Sequence, residues 1–533
     1  MSEELKVARR AGVVGAATLL SRVLGLIREQ VMAAFFGAGF ATDAFNVAFR
    51  LPNLLRDLFA EGAMSSAFVP TFTAVLARGG ADEAWAFGRQ LMSTLLAVLA
   101  VITAAGYLLT PWLVTVFAPG FSAIAGKHEL TVYLTRIMLP FLPCVALAAA
   151  AMGMLNARGS FAVPALAPTL FNLGMIVAGV GLIPVMRTLG QPPITAMAIG
   201  VLLGGLGQFV VQLPSLAAMG FRFRLEIPRA HPGVRRVGML MLPAAVGLAG
   251  TQINLFVSTI IASGLEQGSV SWLWYAFRLM QLPIGVFGVA LATVSLPALS
   301  KAAVDEDLPA LKSTLSATLR LVFLLTAPAA LWLGVMAVPV IALLYQHGRF
   351  VAFDTQRTAA ALVMYCVGLP AFAALTVLTR TFYALGDTRT PVRASFVSVA
   401  LNLGLNLLFI GPLRGLGLGH TGLALATSAT SIANFLQLAY HLRRRVGPLE
   451  GRRMANTLWR VSAAAAVASV ASVLALRALA GRLPGGIRGD AIEVALGLAL
   501  ALGVGYVAMR VLRVEELATV EALIGSLRRR IKG

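Results

Sequence analysis

Residues 44–75 read AFNVAFRLPNLLRDLFAEGAMSSAFVPTFTAV. Most of this stretch is apolar, and as a helix it is long enough to cross the ~30 Å hydrocarbon core of a bilayer. A guanidinium at mid-bilayer costs at least ~2.5–3.5 kcal/mol, so an arginine persists there only beside a wet cavity, a partner charge or an anionic ligand. Stretches of this kind hold five arginines: Arg22, Arg28, Arg50, Arg56 and Arg278. The sequence therefore predicts a membrane protein with a site for an anion.

The composition of the whole chain agrees with a lipid environment. Of its 533 residues, 58% are hydrophobic and 12% are charged, and the mean hydropathy is +0.84. Ordinary soluble domains carry roughly 25% charged residues. Apolar runs of membrane-spanning length recur along the chain, and they predict an all-α polytopic membrane protein with about fourteen transmembrane helices.

The net charge of +21 is distributed unevenly between the predicted loops. Loops on the side of the N-terminus hold about 28 of the 43 lysines and arginines, and the opposite loops hold about 8. Such asymmetry indicates that both termini are cytoplasmic. The basic clusters lie in loops on one side of the predicted spans and so act mainly as topology signals, which argues against nucleic-acid binding.

The chain also contains an internal repeat. Residues 48–51 (AFRL) recur at 276–279, an offset of 228, and residues 171–174 (FNLG) recur as LNLG at 401–404, an offset of 230. Each repeat spans about six predicted helices, and an even number inserts both halves with the same orientation, related by a pseudo-two-fold axis along the membrane normal. Transporters built this way bind their cargo between the halves.

The repeat predicts a division into four parts. These are an N-terminal six-helix bundle, a basic cytoplasmic linker, a C-terminal six-helix bundle, and two additional transmembrane helices with a basic cytoplasmic tail: 1–220, 221–236, 237–445 and 446–533.

Polar residues of the second predicted helix form one stripe. Arg50, Asp57 and Glu61 fall at i, i+7 and i+11, so they share a helix face. One interpretation is an internal ion-pair network that holds helices together. Arg56 points about 100° away from Asp57 and has no carboxylate four residues before or after it, which favours a role in ligand binding.

Helical geometry also indicates which acidic residues lie near the remaining arginines. Arg22 and Glu29 share a face of the first helix, whereas Arg28 points elsewhere unless the helix breaks at Gly25. Arg278 has no acidic residue within one helical turn. Both observations keep these arginines as candidates for binding an anion.

Several other classes of function fit the sequence poorly. The five histidines are scattered without metal-ligand spacing, the two cysteines lie in apolar runs, and no phosphate-binding loop of the GxxxxGK[ST] kind occurs. An enzyme is therefore disfavoured, and no cofactor or metal is expected. Coupling to a monovalent cation stays open, with Asn402 and Asp387 as polar candidates.

Several motifs carry a family resemblance. Residues 21–28 (SRVLGLIR), 42–45 (TDAF), 51–56 (LPNLLR), 59–63 (FAEGA) and 164–172 (PALAPTLFN) resemble the signature of the MurJ (MviN) lipid II flippases of the MOP (MATE-like) transporter superfamily. The resemblance implies two six-helix bundles around a central cavity. It also implies a lipid II flippase of the bacterial inner membrane, which moves the undecaprenyl-diphosphate-linked peptidoglycan precursor to the periplasmic leaflet by alternating access.

The resemblance also assigns roles to residues and partners. It implies that four arginines bind substrate: Arg22, Arg28, Arg56 and Arg278. It implies gate or ion-pair roles for Asp43, Glu61 and Glu29, and the shared helix face adds Arg50 and Asp57 to this set of gate or ion-pair residues. Glu29 departs from the aspartate expected at its position. The implied partners are the lipid-linked precursor and membrane lipid, with a monomeric state and association with cell wall synthases as further expectations.

Two alternatives within the same fold stay open from the sequence. A flippase for another polyprenyl-diphosphate-linked oligosaccharide would use the same positive charge. A cation-coupled drug exporter would favour an acidic or aromatic cavity, so the arginines argue against it.

Overall fold

The structure is a computed structural model that describes residues 3–56, 63–228, 231–479 and 481–522. Within these ranges the regular elements are all helical. Ten described helices are long and apolar enough to cross a membrane. The predicted all-α polytopic membrane class is confirmed, and the count of fourteen spans stays a prediction.

The chain packs as two compact units, residues 1–271 and 272–533. Ten helices lie within the first unit: α1 Glu3–Phe36, α2 Phe40–Arg56, α3 Ala63–Phe117, α4 Lys127–Met138, α5 Phe141–Ala157, α6 Ala162–Gly181, α7 Ile183–Thr188, α8 Thr195–Val210, α9 Leu213–Ala218 and α10 Pro232–Ser263.

Helix α11, Ser269–Pro283, begins at the end of the first unit and continues into the second. Eight more helices follow: α12 Val289–Val304, α13 Leu308–Val335, α14 Ala337–Tyr345, α15 Ala352–Ala384, α16 Arg389–Ile410, α17 His420–Val446, α18 Gly451–Leu479 and α19 Ile487–Val511.

Glycine and proline divide the longest helical runs. Helix α3 would extend about 82 Å if it were straight, far more than one span needs. At Gly80 the backbone turns to φ 77° and ψ −169°, and α3 kinks there into two segments. Pro283 cannot donate a backbone hydrogen bond, and a π-helical turn, Ile284–Gly288, joins α11 to α12 directly after it.

The sequence repeat recurs in the packing of each unit. In the first unit α5 packs against α3 and α8, and α6 packs against α8. In the second unit α15 packs against α13 and α17, and α16 packs against α17. The helices that carry the repeated tetrapeptides, α6 and α16, therefore occupy equivalent places in their own units.

Helix α10 packs with the first unit. The rings of Phe117 and Phe256 lie 4.5 Å apart between α3 and α10. Gly120 approaches the end of α10 so closely that an added Cβ would lie 2.3 Å from the Ser263 carbonyl oxygen. The sequence repeat instead places this helix at the start of the second bundle. Helix packing divides the chain after residue 271, whereas the repeat starts the second bundle at residue 237. The domain boundaries taken from the repeat stay a prediction.

The two helices after the repeat belong to the core of the second unit. Helix α18 packs against α13, and α19 packs against α14 and α18. The Ser472 hydroxyl donates to the Gly497 carbonyl oxygen at 3.2 Å, and Gly497 also faces the side chain of Met336. These close contacts fix α18 and α19 to each other and to the helices of the second bundle.

Candidate functional site

The carboxylate of Asp43 is a buried charge of the first unit that accepts four hydrogen bonds. Asp43 lies in the first turn of α2 and is 1% exposed. Its Oδ2 accepts from Lys127 Nζ at 2.9 Å and from the Gly268 N–H at 2.8 Å. Its Oδ1 accepts from the N–H and the hydroxyl of Ser271 at 2.9 and 2.6 Å. Four donors therefore satisfy one carboxylate and join the beginnings of α2, α4 and α11.

Lys127 supplies the opposite charge. Its side chain is also 1% exposed, and its ammonium lies 4.3 Å from the centroid of the Phe121 ring. The carboxylate and the aromatic face together stabilise a cation that has left water. Removing either partner of such a pair leaves an uncompensated buried charge, which costs about 3–5 kcal/mol.

The second unit contains a related contact at the equivalent place. At the repeat offset of 228, Trp272 corresponds to Ala44 and Thr355 to Lys127. Trp272 Nε1 donates to Asp354 Oδ1 at 2.9 Å. The other oxygen of Asp354 accepts from the Val351 N–H at 3.2 Å and so caps α15. A buried aspartate therefore ties three helix beginnings together in the first unit and joins α11 to the beginning of α15 in the second.

Arg28 lies in a polar contact between α1 and α6. Its Nη1 donates to Asn172 Oδ1 at 3.1 Å, and its Nη2 donates to Glu29 Oε1. Asn172 also donates to the Ser21 carbonyl oxygen at 3.0 Å. Arg28 and Glu29 are both buried and form an ion pair with each other. Glu29 therefore pairs with an arginine that is itself a candidate for ligand binding.

The helix break considered at Gly25 does not occur. Helix α1 runs without interruption from Glu3 to Phe36. The side chain of Asn172 approaches Gly25, where an added Cβ would lie 3.7 Å from Asn172 Nδ2. Arg28 reaches Glu29, its neighbour in sequence, because both side chains are long enough to cover the 100° between them.

Arg22, Arg56 and Arg278 have different surroundings. Arg22 is exposed on α1, and within the described ranges it makes no hydrogen bond or ion pair. Arg56 ends α2, is half-buried and interacts with its surroundings. Arg278 lies in the second unit, with its guanidinium 4.8 Å from the centroid of the Trp274 ring. Neither Arg56 nor Arg278 has an acidic residue three or four positions away in the sequence, but both interact with other groups in the structure.

Arg50 connects α2 to α10. Its Nη1 donates to the Leu255 carbonyl oxygen at 3.0 Å and to the Thr259 hydroxyl. This contact fits the interpretation that Arg50 holds helices together. Its predicted acidic partners, Asp57 and Glu61, lie outside the described residues, so the predicted ion-pair network stays a prediction.

The two residues that were polar candidates for binding a cation, Asn402 and Asp387, have different surroundings in the structure. Asn402 is fully buried and accepts from Asn406 Nδ2 at 2.8 Å. Asp387 instead lies between α15 and α16, where it accepts from Thr390 and from Arg445 Nη1 at 3.0 Å. Burial acts to raise the pKa of Asp387, but hydrogen bonds from Thr390 and Arg389 and the charge of Arg445 lower it below the ordinary value. In the ranges that the structure covers, no three His, Cys, Asp or Glu side chains group as metal ligands.

Sequence reasoning missed Lys127 and the contact between Trp272 and Asp354. A lone lysine at the first position of an apolar span was the available signal. Counted along the chain, the predicted span that follows Asp43 is the second and the one that follows Lys127 is the fourth. Successive spans alternate in direction, so these two begin at the same end of the molecule. That alternation brings Lys127 to the same end as Asp43, although side-chain pairing there depends on packing that one sequence does not show.

These structural features indicate the general class to which the protein belongs. The chain is a polytopic transporter-type membrane protein with two repeated units and buried polar contacts. Its fold is similar to that of a multidrug resistance MATE family transporter of the MOP superfamily in the inward-facing conformation. That match has a TM-score of 0.66 and 15% identity, and covers 83% of this chain and 99% of the other.

The family follows from closer matches. Residues 32–483 match the family model described as lipid II flippase MurJ. The chain is 41% identical over 432 residues to the lipid II flippase MurJ of Burkholderia cenocepacia, with 80% of this chain and 82% of the relative covered. It is 37% identical over 509 residues to a probable lipid II flippase MurJ of Vibrio cholerae, with 92% and 93% covered. The chain belongs to the MurJ lipid II flippase family.

A solved structure supports the same assignment. The lipid II flippase MurJ in its inward closed conformation matches with a TM-score of 0.76 and 26% identity, and the match covers 94% of this chain and 99% of that one. The resemblance read from the sequence motifs is therefore confirmed.

We predict that the contact between Asp43 and Lys127 is energetically coupled. Asp43→Asn and Lys127→Ala should each lower the free energy of unfolding by about 3–5 kcal/mol, because each leaves a buried partner charge. The double variant should be less destabilised than the sum of the two, by roughly 1–3 kcal/mol. Thermal unfolding of the purified protein in detergent measures all three, with Lys301→Ala on the exposed face of α12 as the control. Additive losses would contradict a direct interaction.

Proposed function

We propose that this chain is a lipid II flippase. Its substrate would be the undecaprenyl-diphosphate-linked peptidoglycan precursor, moved from the cytoplasmic to the periplasmic leaflet of the bacterial inner membrane by alternating access. The observation that carries this proposal is the family match over residues 32–483, which includes most of the spans. The relative from Burkholderia cenocepacia is described as a lipid II flippase, and the one from Vibrio cholerae as a probable lipid II flippase.

The chemistry of the arginines supports a diphosphate ligand. Planar guanidinium groups donate two parallel hydrogen bonds to phosphate oxygens, and these bonds are stronger where water is excluded. Arg22 is exposed, and its donors are not engaged by any described residue. Arg278 uses the face of its guanidinium against Trp274, and a stacked guanidinium still presents N–H groups at its edge. We assign Arg22, Arg28, Arg56 and Arg278 to diphosphate binding.

Arg28 has a second role in this proposal. Its bonds to Asn172 and Glu29 fix its side chain before any ligand binds. A donor that is already oriented loses less conformational freedom when a ligand arrives. Glu29 also offsets part of the positive charge, so the affinity would be lower than for an isolated arginine and the cargo could be released.

The proposed gate residues are Glu29, Asp43, Asp57, Glu61 and Arg50. Asp43 has the strongest support, because its carboxylate joins α2, α4 and α11 through four hydrogen bonds. Breaking and remaking such a contact would accompany a change between conformations. In this role Glu29 and Glu61 rest on the family resemblance, and Arg50 and Asp57 rest on their shared helix face.

The energy for transport would come from the membrane rather than from a cofactor. One elementary charge moving through 100 mV yields about 2.3 kcal/mol, and the arginines make the carrier itself positive. Monovalent cation coupling is the alternative, and the buried Asn402 and Asn406 are the polar pair that supports it. We further propose a monomer that associates with cell wall synthases; light scattering in detergent tests the monomer, and co-purification tests the association.

Complementation tests the proposed function. In a strain depleted of its own lipid II flippase, this chain should restore growth and exposure of the precursor in the outer leaflet. Alanine variants of the four assigned arginines should abolish rescue at normal expression, and lysine variants should rescue poorly because an ammonium lacks the planar fork. Arg50→Ala should be milder, and the exposed Arg187→Ala should behave as wild type. Full rescue by all four alanine variants would contradict the assigned site.

Failure of the wild-type chain to expose lipid II, with normal expression and folding, would overturn the flippase proposal itself. Translocation of another polyprenyl-diphosphate-linked oligosaccharide, without lipid II exposure or rescue of growth, would favour that alternative cargo.

We predict that both termini are cytoplasmic, because loops on that side carry most of the lysines and arginines. In a Cys144→Ser, Cys366→Ser background, Arg349→Cys should react with an impermeant thiol reagent added to intact cells. Arg452→Cys should react only after lysis. Both arginines are exposed, so accessibility to the reagent reports the side of the membrane. Labelling of Arg452→Cys in intact cells would contradict the proposed orientation.

A further inference from the structure

A groove of about 490 Å³ lies on the first unit between α3 and α4. Its walls include Tyr107 and Pro111 from α3 and His128, Glu129, Tyr133 and Arg136 from α4. None of these residues belongs to the site assigned above. The surrounding surface of α3 is apolar and open, with Leu108 76% and Trp112 62% exposed. Such a surface on a membrane-spanning helix faces lipid.

Pro111 explains why an arginine lies in this groove. Proline has no N–H, so within α3 the carbonyl group of Tyr107 loses its usual donor four residues later. Arg136 Nε donates to that carbonyl oxygen at 3.3 Å. The Arg136 guanidinium also lies 4.8 Å from the centroid of the Tyr107 ring. Arg136 thus repairs a backbone defect in the neighbouring helix.

The repair uses only one of the five N–H donors of the guanidinium. No other hydrogen bond or ion pair to Arg136 is formed by the part of the chain that the structure describes. The α-carbon of Arg136 lies about 13 Å along α4 from Lys127, which begins the span. A half-buried positive charge at this depth, open to lipid, is stabilised by an anionic partner.

Glu129 places a negative charge nearer to the end of the same helix. It precedes Arg136 by seven residues, so both lie on one face of α4, about 10.5 Å apart along the axis. Side chains on a helix lean towards its N-terminus, which brings the guanidinium closer to the level of Glu129. Glu129 is exposed, and within the described ranges it has no hydrogen-bonded or ionic partner. The groove therefore presents a cation at depth and an anion towards the water.

We propose that this groove binds one phospholipid whose headgroup carries a primary ammonium, such as phosphatidylethanolamine. The phosphate binds the terminal amino groups of Arg136, and the ammonium, which extends towards water, binds Glu129. The acyl chains lie along the apolar surface formed by Leu108 and Trp112. Phosphatidylglycerol carries the same phosphate but a neutral glycerol in place of the ammonium, so it offers Glu129 no opposite charge, and a choline headgroup has no N–H to donate.

Lipid titration of the full chain tests the site. Purified, delipidated protein is titrated with dioleoyl phosphatidylethanolamine, phosphatidylglycerol or phosphatidylcholine, and bound lipid is counted by native mass spectrometry. The first lipid should bind roughly tenfold more tightly than either of the others, the effect of about one charge-assisted hydrogen bond. Arg136→Ala should weaken the binding of all three lipids, because each carries the phosphate, and the exposed Arg187→Ala should leave the affinities and the preference unchanged.

Glu129→Lys keeps the test decisive if Arg136→Ala fails to fold, because Glu129 takes no part in the bond to the Tyr107 carbonyl group. This variant should reverse the preference and favour phosphatidylglycerol. Equal binding of the three lipids to the wild type, or an unchanged preference in Glu129→Lys, would overturn the proposal.

Discussion

The fold depends on the high cost of a buried charge in a chain that is 58% hydrophobic. The contact between Asp43 and Lys127 shows how this chain meets that cost: four donors surround one carboxylate, and the lysine lies against an aromatic ring. The same contact fixes the beginnings of three helices. An unpaired charge in this environment would destabilise the fold. When it is paired and hydrogen-bonded, the same charge connects specific helices that carry few other polar groups.

The repeated architecture gives this connection a counterpart. In the second unit the indole N–H of Trp272 and the carboxylate of Asp354 join α11 to α15 at the equivalent place. The first contact uses two opposite charges, and the second uses one charge and a neutral donor. The two halves thus keep the position of a buried aspartate-dependent link but differ in its chemistry. We infer that the first link responds more strongly to a change of charge on either partner.

Sequence patterns predicted the membrane class, the repeat and the family, because these depend on hydrophobic length, on repeated tetrapeptides and on motifs that can be read locally. They did not predict Lys127 as the partner of Asp43, since that contact joins residues 84 positions apart. The break considered at Gly25 does not occur, and long side chains let Arg28 reach Glu29 on an unbroken helix. The role of Arg136 could not be predicted from the sequence, because it depends on the packing of α4 against the part of α3 that contains Pro111.

The central claim is that arginines in apolar helices recognise a lipid-linked diphosphate. The most direct measurement compares equilibrium binding of undecaprenyl diphosphate and undecaprenyl monophosphate to the purified chain, which differ only in the headgroup. The account predicts that the diphosphate binds at least roughly tenfold more tightly, because it accepts additional charge-assisted hydrogen bonds, and that Arg22→Ala reduces this difference. Equal affinities, or a difference that survives alanine substitution of all four assigned arginines, would contradict the claim.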